Sequence, residues 1–447
     1  MHAQTSAPRR STAFRQSEEG SATILMLFFC LIFIVLGGLA IDFNKVMSDR
    51  TQLQIIADTA AHSALYARET KSESEAVDEA LRVATTMTAP RQYAGSLRAE
   101  DIQFGTWSFL TDSFVADANS RSAVEVKVAM NETRGNASRN LLLNIIGVDS
   151  FDVVSASVYS TYYPPCFTEG FVAEDVVDIQ SNNAFTDGFC LHSNNYVSLN
   201  SNNYFEPGTV VSMPNLDDLD IPKSGFEKNE GLATALRMGE YRLRILNKLP
   251  LIIEGLRTGD PLYLPKFLYG NAIHSLSGLG AEPITAGKVT PLHFVIGQVN
   301  TYLCNAGGKL TLEAGLYEDM VFVTNCEVKF SSGVQLEDVI VATTSTSATS
   351  LNSPSGLSIG RDDNCATGGG ATLLTLGGFN AAASLNVFGG QILALGDIEF
   401  AANADGIQGA SFVSNGRIDG TSNMNMGFCQ YNGMENAFRA SYFRMVE

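Results

Sequence analysis

From Ala22 to Ile41 the chain has no charged residue, a run of roughly 20 positions, which is the length a helix needs to cross the hydrocarbon core of a bilayer. A secretory signal would be shorter and would end in small residues at a cleavage site. Here Leu39, Ala40 and Ile41 run straight into Asp42 and a further helical pattern, so the run is read as a retained membrane anchor. Beyond it, Val46, Leu53, Ala57, Ala60 and Ala64 recur at helical steps and predict one narrow face of a helix that extends the span to about Arg68. Small residues let another backbone come close. The face is therefore expected to pack against a partner helix or against the protein's own next domain, with Asp42 and Asp58 solvated or paired with a basic group of a partner.

The pattern then changes period. Lys71 to Thr88, with Ala76, Ala80, Leu81 and Ala84, predicts a second helix that Pro90 ends. Strands are predicted at Ile102 to Phe109 and at Ala123 to Met130, where Val124, Val126 and Val128 alternate with Glu125 and Lys127. Asn140 to Ile146 reads as a short helix closed by Gly147, and Phe151 to Tyr159 as a third strand, before Pro164 and Pro165 end a small α+β unit.

Past Pro165 the texture is one of brief apolar runs broken by Gly, Asn and Asp. Ser-Asn-Asn occurs at Ser181, Ser193 and Ser201, and later runs include Val321 to Val323, Glu327 to Phe330, Val339 to Ala342, Leu385 to Phe388, Gln391 to Leu395 and Ser411 to Val413. Short strands joined by polar turns predict a parallel β-solenoid of irregular period, with a β-sandwich as the competing architecture. One segment departs from this: Leu236, Tyr241, Leu243, Leu246, Ile252 and Ile253 have helical spacing, so a helical insertion is expected over about 224–280, capping an end or covering an edge strand.

Composition narrows the class. The 447 residues are 45% hydrophobic, enough for two or three cores, and 40 glycines with a single Trp suit a turn-rich, β-rich distal part. A net charge of −18 argues against nucleic acid as a partner. Arg9, Arg10 and Arg15 precede the span, whereas Lys45 and Arg50 follow it among Asp42 and Asp49, so residues 1–19 are expected in the cytoplasm and the bulk outside it. With Cys30 inside the span, Cys166, Cys190, Cys304, Cys326, Cys365 and Cys429 form an even set in a compartment where disulfides persist. Among the open connectivities the expected one is sequential, which needs the least chain rearrangement.

Candidate chemistry is sparse. His192, His274 and His293 are scattered outside any metalloprotease pattern, and neither a nucleophile elbow nor a phosphate loop is present. Gly278-Leu279-Gly280 and Gly368-Gly369-Gly370 read as turns. Asp362 and Asp363, near Cys365, are read as a solvated turn rather than a calcium site. No cofactor, metal ligand or catalytic residue is assigned.

Gly20-Ser21, the apolar span, Asp42, Arg50, Leu53-Gln54 and Ala57-Asp58-Thr59-Ala60-Ala61 together resemble the N-terminal segment of TadG-type proteins of the Tad, or Flp, tight-adherence pilus system. The resemblance covers roughly 50 residues, few enough to be one long helix. It implies a single-pass anchor in the bacterial inner membrane and a role in assembling or anchoring an adhesive pilus, with the lipid bilayer and other Tad assembly or pilin-like proteins as partners. Related TadE-type and pilin proteins carry a glutamate shortly after the glycine cut by a prepilin peptidase, whereas here Gly20 is followed by Ser21, Ala22 and Thr23. The resemblance assigns no ligand to residues 166–447.

The expected organisation is a cytoplasmic tail (1–19), a transmembrane and juxtamembrane helix (20–68), an α+β extracytoplasmic domain (69–165) and a β-rich distal domain (166–447). The expected function is non-enzymatic: the alanine face engages membrane partners and the disulfide-stapled distal part meets envelope or surface components. Two alternatives are an adhesin that binds a surface ligand directly and a membrane-tethered polysaccharide-acting enzyme, the latter with Asp338 or Asp397 as candidate carboxylates on fold analogy.

Overall fold

An unbroken apolar and alanine-rich pattern from residue 19 to 68 becomes one helix, α1 (Glu19–Arg68), of 50 residues in a computed structural model that describes residues 19–88, 91–278, 283–305 and 307–446. The N-terminal tail with Arg9, Arg10 and Arg15, the expected stop at Pro90 and the expected turn at Leu279-Gly280 lie outside the described residues. The chain divides into two units: residues up to Tyr162 together with those from Ser441 form the first, and Tyr163–Ala440 the second. The division falls after Tyr162, three residues before Pro165, and the final residues belong with the first unit.

In the first unit the two halves of α1 have different surroundings. Its N-terminal half is exposed, with Ile24, Leu27, Phe28 and Phe33 uncovered, whereas Leu53, Ile56, Ala57, Ala60, Ala61 and Ala64 are fully buried. The cover is intramolecular. Helix α2 (Glu73–Met87), started by a capping box between Ser72 and Glu75, turns Ala76, Ala80 and Ala84 into the same core. Opposite lies a five-stranded antiparallel sheet of β1 (Ile102–Ser108), β2 (Ser113–Ala116), β3 (Ala123–Met130), β4 (Val153–Tyr162) and β5 (Tyr442–Met445), in the order β2-β1-β3-β4-β5. Val124, Val126 and Val128 of β3 face the helices, while Glu125 and Lys127 face out and pair at 2.8 Å. The alternation that marked β3 is this two-sidedness.

Three differences from the expected elements come from contacts made elsewhere in the unit. Residues 150–151 pair with 138–139 instead of opening β4, and β4 runs three residues further than expected, where β5 pairs with its end, Tyr442 opposite Tyr162 and Met445 opposite Tyr159. The helix expected over 140–146 is a single 3-10 turn, Leu143–Ile146, ended by Gly147 in the left-handed region (φ 88). The alanine face of α1 is not left open for membrane partners: α2 and β3 occupy it.

Every pairing among the named strands of the second unit is parallel, and they make up a sheet of 22 strands. They form three rows. In the first, residues 273–275, 299–302, 321–324, 339–343, 371–375, 390–394, 411–414, 170–173, 190–193, 210–213 and 236–238 lie side by side in that order. Chain order and spatial order therefore differ: the late segment 411–414 pairs directly with the early segment 170–173, Phe412 against Phe171. Segment 239–272 carries the chain from one end of the row to the other. It holds the only long helix of the unit's described residues, α3 (Arg244–Thr258).

Helix α3 explains why the first-row strands read as continuous apolar runs. Their inward column, Phe322, Val341, Leu373, Ile392, Phe412, Phe171, Leu191 and Val211, lies in the main core. The outward neighbours Val323, Ala342, Leu374, Leu393, Val413 and Val172 are also buried, in a second core with Leu246, Leu249, Ile252, Ile253 and Leu256 of α3. A parallel sheet covered on both faces loses its polar alternation. The helical insertion covers a face, then, rather than an end; its other helices, Gly225–Lys228 and Leu232–Ala235, are single turns.

Polar side chains set the turns. Ser193, Thr324, Thr343, Thr375 and Ser414, all at or near the ends of first-row strands, each accept a hydrogen bond from the backbone N–H two residues on, at 2.9–3.1 Å. Buried hydroxyls with satisfied partners thus bend the chain, in two of the five turns together with a glycine, Gly377 or Gly416. At another corner Asn183 Nδ2 donates to Asn203 Oδ1 (3.1 Å), the Asn203 amide to Asn229 Oδ1 (2.9 Å), and the Met424 amide to Asn183 Oδ1 (2.9 Å). The preceding Asn182, Asn202 and Asn423 all adopt left-handed φ of 62–65°. Two of the three Ser-Asn-Asn triplets are therefore equivalent corners, while the third, at Ser193, ends a strand. Disulfides join Cys166 to Cys190, Cys304 to Cys326 and Cys365 to Cys429.

Candidate functional site: the anchor helix and its polar hooks

The residues of the N-terminal motif converge on one feature, the fastening of α1 to the rest of its unit. Asp42 stands at the first position after the apolar run and is buried. Its Oδ1 accepts from the Leu141 amide (2.7 Å) and its Oδ2 from those of Leu142 (3.0 Å) and Leu143 (2.7 Å). These are the unpaired N–H groups at the start of the 3-10 turn, the place where a carboxylate is most favourable. Burial pushes the Asp42 carboxyl up, but the three amide donors and Lys45 outweigh it and hold its pKa below the ordinary value. The carboxylate is neither solvated nor offered to a partner, which corrects the expectation.

Two turns further on, Asp49 gathers a second set. Lys45 Nζ donates to Asp49 Oδ2 (3.1 Å) and to Ser138 Oγ (2.8 Å), Ser138 Oγ donates to Asp49 Oδ2 (2.5 Å), and Tyr93 Oη donates to Asp49 Oδ1 (3.1 Å). Burial, reinforced by Asp49, pushes the Tyr93 phenol up. Gln54 makes a third hook: its Nε2 reaches both Asp58 Oδ1 (2.8 Å) and the Ala156 carbonyl of β4 (3.0 Å). Arg50 is exposed, and its carbonyl accepts from Ser155 Oγ (3.3 Å). Between these hooks Leu53, Ala57, Ala60 and Ala61 fill the core, so polar and apolar members of the motif do the same structural task. Gly20 and Ser21 lie in the first turns of α1.

Tyr93 and Ser138 were not singled out in the sequence, and Lys45 and Asp49 only as charges flanking the span. The i,i+4 spacing of Lys45 and Asp49 was the available signal, and it also fits an ordinary surface pair.

The second unit holds the other candidates apart. Asp338, in the left-handed region (φ 49), accepts from the Gly369 amide (2.9 Å), and burial pushes its carboxyl up. Asp397 accepts from the Arg417 amide (2.8 Å). Each carboxylate braces a glycine-rich or polar turn. Asp363 accepts from Arg361 Nε and the Ala366 amide, beside Cys365. His192 is buried on the outward side of the first row, between Ser212 (2.7 Å) and Asn194 (2.9 Å), and edge-on to Tyr241; burial pushes its pKa down. His293 binds Thr290 locally, and His274 sits in a strand of the first row. Among the described residues no three His, Cys, Asp or Glu side chains form a metal-holding group. A polar groove of about 360 Å³ runs along Asp178, Gln180, Ser198, Asn200 and Asp220, with Arg417 bridging Asp178 and Asp419.

Three family models match the chain. Domain of unknown function (DUF7867) covers residues 170–430, a putative Flp pilus-assembly TadE/G-like segment covers 20–69, and a putative Tad-like Flp pilus-assembly domain covers 59–158. No curated protein and no solved structure matches it.

Proposed function

Since the chain belongs to the family of Domain of unknown function (DUF7867) and is a TadG-like protein of the Tad system by its N-terminal segments, we propose that it is a single-pass inner-membrane protein that anchors a β-solenoid outside the cytoplasm for pilus assembly. The observation that carries this reading is α1: one helix whose first half exposes an apolar surface long enough to span a bilayer and whose second half is built into a Tad-family domain. In this reading residues 1–19 are cytoplasmic and 69–447 extracytoplasmic, where the three disulfides persist. The protein acts without catalysis, as a scaffold between other Tad components in the membrane and envelope or surface material met by the second unit, to which we also assign a contribution to adhesion. The in-register parallel rows support the solenoid.

The test follows from where the chain leaves and re-enters the first unit. Replacing residues 163–440 by a short Gly/Ser linker keeps Ser441–Met445 to pair with β4 and leaves the anchor intact. Loss of pili in that strain supports a part in assembly by the second unit. Intact pili with lost attachment assigns it to adhesion, and wild-type behaviour in both assays refutes both roles. Cleavage of acidic glycans by the purified protein would replace the scaffold reading with an enzymatic one.

A further inference from the structure

Where α1 leaves its apolar run, a second apolar surface lies beside it. Leu141 is 65% exposed, Ile145 67% and Ile146 54%, with Val148 also exposed, all within or next to the 3-10 turn Leu143–Ile146. Single exposed apolar residues are ordinary, but several within one short loop of a small domain mark a contact surface. The loop is amphipathic: Asn140 and Asn144 join Glu132, Arg139 and Asp149 around a polar cleft of about 490 Å³, while Leu141, Ile145 and Ile146 are bare.

Its height along α1 is set by two independent contacts. The Asp42 carboxylate holds the amides of residues 141–143. One turn earlier Gly38 lies so close to Leu142 that a Cβ on the glycine would stand 2.9 Å from Leu142 Cβ. Gly38 belongs to the last turn of the uncharged run, and a helical turn rises about 5.4 Å, so the loop overlaps the end of the span. The exposed apolar surface of α1 at Leu39, Ile41 and Phe43 continues into it.

We propose that residues 141–148 are a second membrane contact, seated among the headgroups and upper acyl chains of the leaflet from which α1 emerges, so that the first unit is held at a fixed depth by helix and loop together. The assignment rests on the reading of Ala22–Ile41 as a membrane span. Lipid is the occupant because the patch is continuous with that span, carries no charge among its exposed side chains, and has its polar residues turned to the opposite side.

The experiment uses the full chain with Cys30→Ser, in vesicles of phosphatidylethanolamine and phosphatidylglycerol. A single nitrobenzoxadiazole-labelled cysteine is placed at Ile145 or Ile146, with Leu31 in the span and Leu110, which is 99% exposed on the β1–β2 turn, as references. The expected result is blue-shifted emission at 145 and 146 and loss of fluorescence with nitroxide lipids labelled on the upper chain, quenching of Leu31 by deeper nitroxides, and quenching of Leu110 by aqueous iodide alone. Iodide quenching at 145 and 146 with Leu31 still lipid-quenched would overturn the loop contact and leave the span standing. Iodide quenching at Leu31 as well would overturn both. Shielding of 145 and 146 from iodide and nitroxide alike would assign the patch to a second copy or another protein, and would also overturn the proposal.

Discussion

At the scale of single residues, two buried groups carry consequences that a measurement can reach. Among the described residues, Asp42 is the side chain that accepts from all three amides at 141–143. Asp42→Ala should leave those N–H groups without an acceptor, and hydrogen exchange should show loss of protection confined to residues 141–146 while β3 and β4 keep theirs. Asp42→Asn should restore part of it, since one amide oxygen replaces two carboxylate oxygens. His192 is held neutral by burial, with a folded pKa below its ordinary value of 6.5. The unfolded chain therefore binds the proton more readily, so the stabilising contribution is present above pH 6.5 and is lost as pH falls below it toward the folded pKa. Denaturant midpoints of the second unit should drop on acidification from neutral pH, and His192→Gln should flatten that dependence.

Among elements, the pairing of α1 with α2 depends on small side chains on both surfaces, Ala57, Ala60, Ala61 and Ala64 against Ala76, Ala80 and Ala84, all at or near zero exposure. Ala60→Leu adds three carbons to a filled contact and should cost about 1–3 kcal/mol, seen as a lower denaturation midpoint with unchanged helical content. Ala60→Gly tests the same place from the other side, since helix propensity alone should then cost about 1 kcal/mol. Elements were also the scale most legible in the sequence. The 3.6-residue period of α1 and the alternation of Val124, Val126 and Val128 announce their own cores, because burial on one face is a local constraint. The second unit's strands were legible as short apolar runs, but their order was not. Which strand lies beside 170–173 is settled by packing between Phe171 and Phe412, 241 positions apart, and no local pattern encodes that.

The candidate site divides the same way. Asp42, Leu53, Gln54, Ala57, Asp58, Ala60 and Ala61 stood out as a motif, yet their partners did not: the Leu141–Leu143 amides are 99–101 positions from Asp42, and the Ala156 carbonyl is 102 from Gln54. Backbone amides and carbonyls are the same at every residue, so they leave no trace in composition. The alanine stripe was read as a close-packing surface for a partner helix or for the protein's own next domain, and it is the second that it meets. An antiparallel helix such as α2, reached by a short connection, satisfies the stripe within the chain.

For the whole molecule the governing fact is that the second unit is inserted between two strands that are partners, β4 and β5. Removing Ser441–Glu447 should leave the second unit's sequence untouched and yet weaken the first: hydrogen exchange at residues 159–162 should rise, because β4 becomes an uncovered edge. Unchanged exchange there would mean that β5 does not support the first unit. Synthesis follows chain order, so β4 waits for its partner β5 until residues 163–440 have been made. A nascent chain halted anywhere in between leaves the β5-facing margin of β4 bare at residues 159–162.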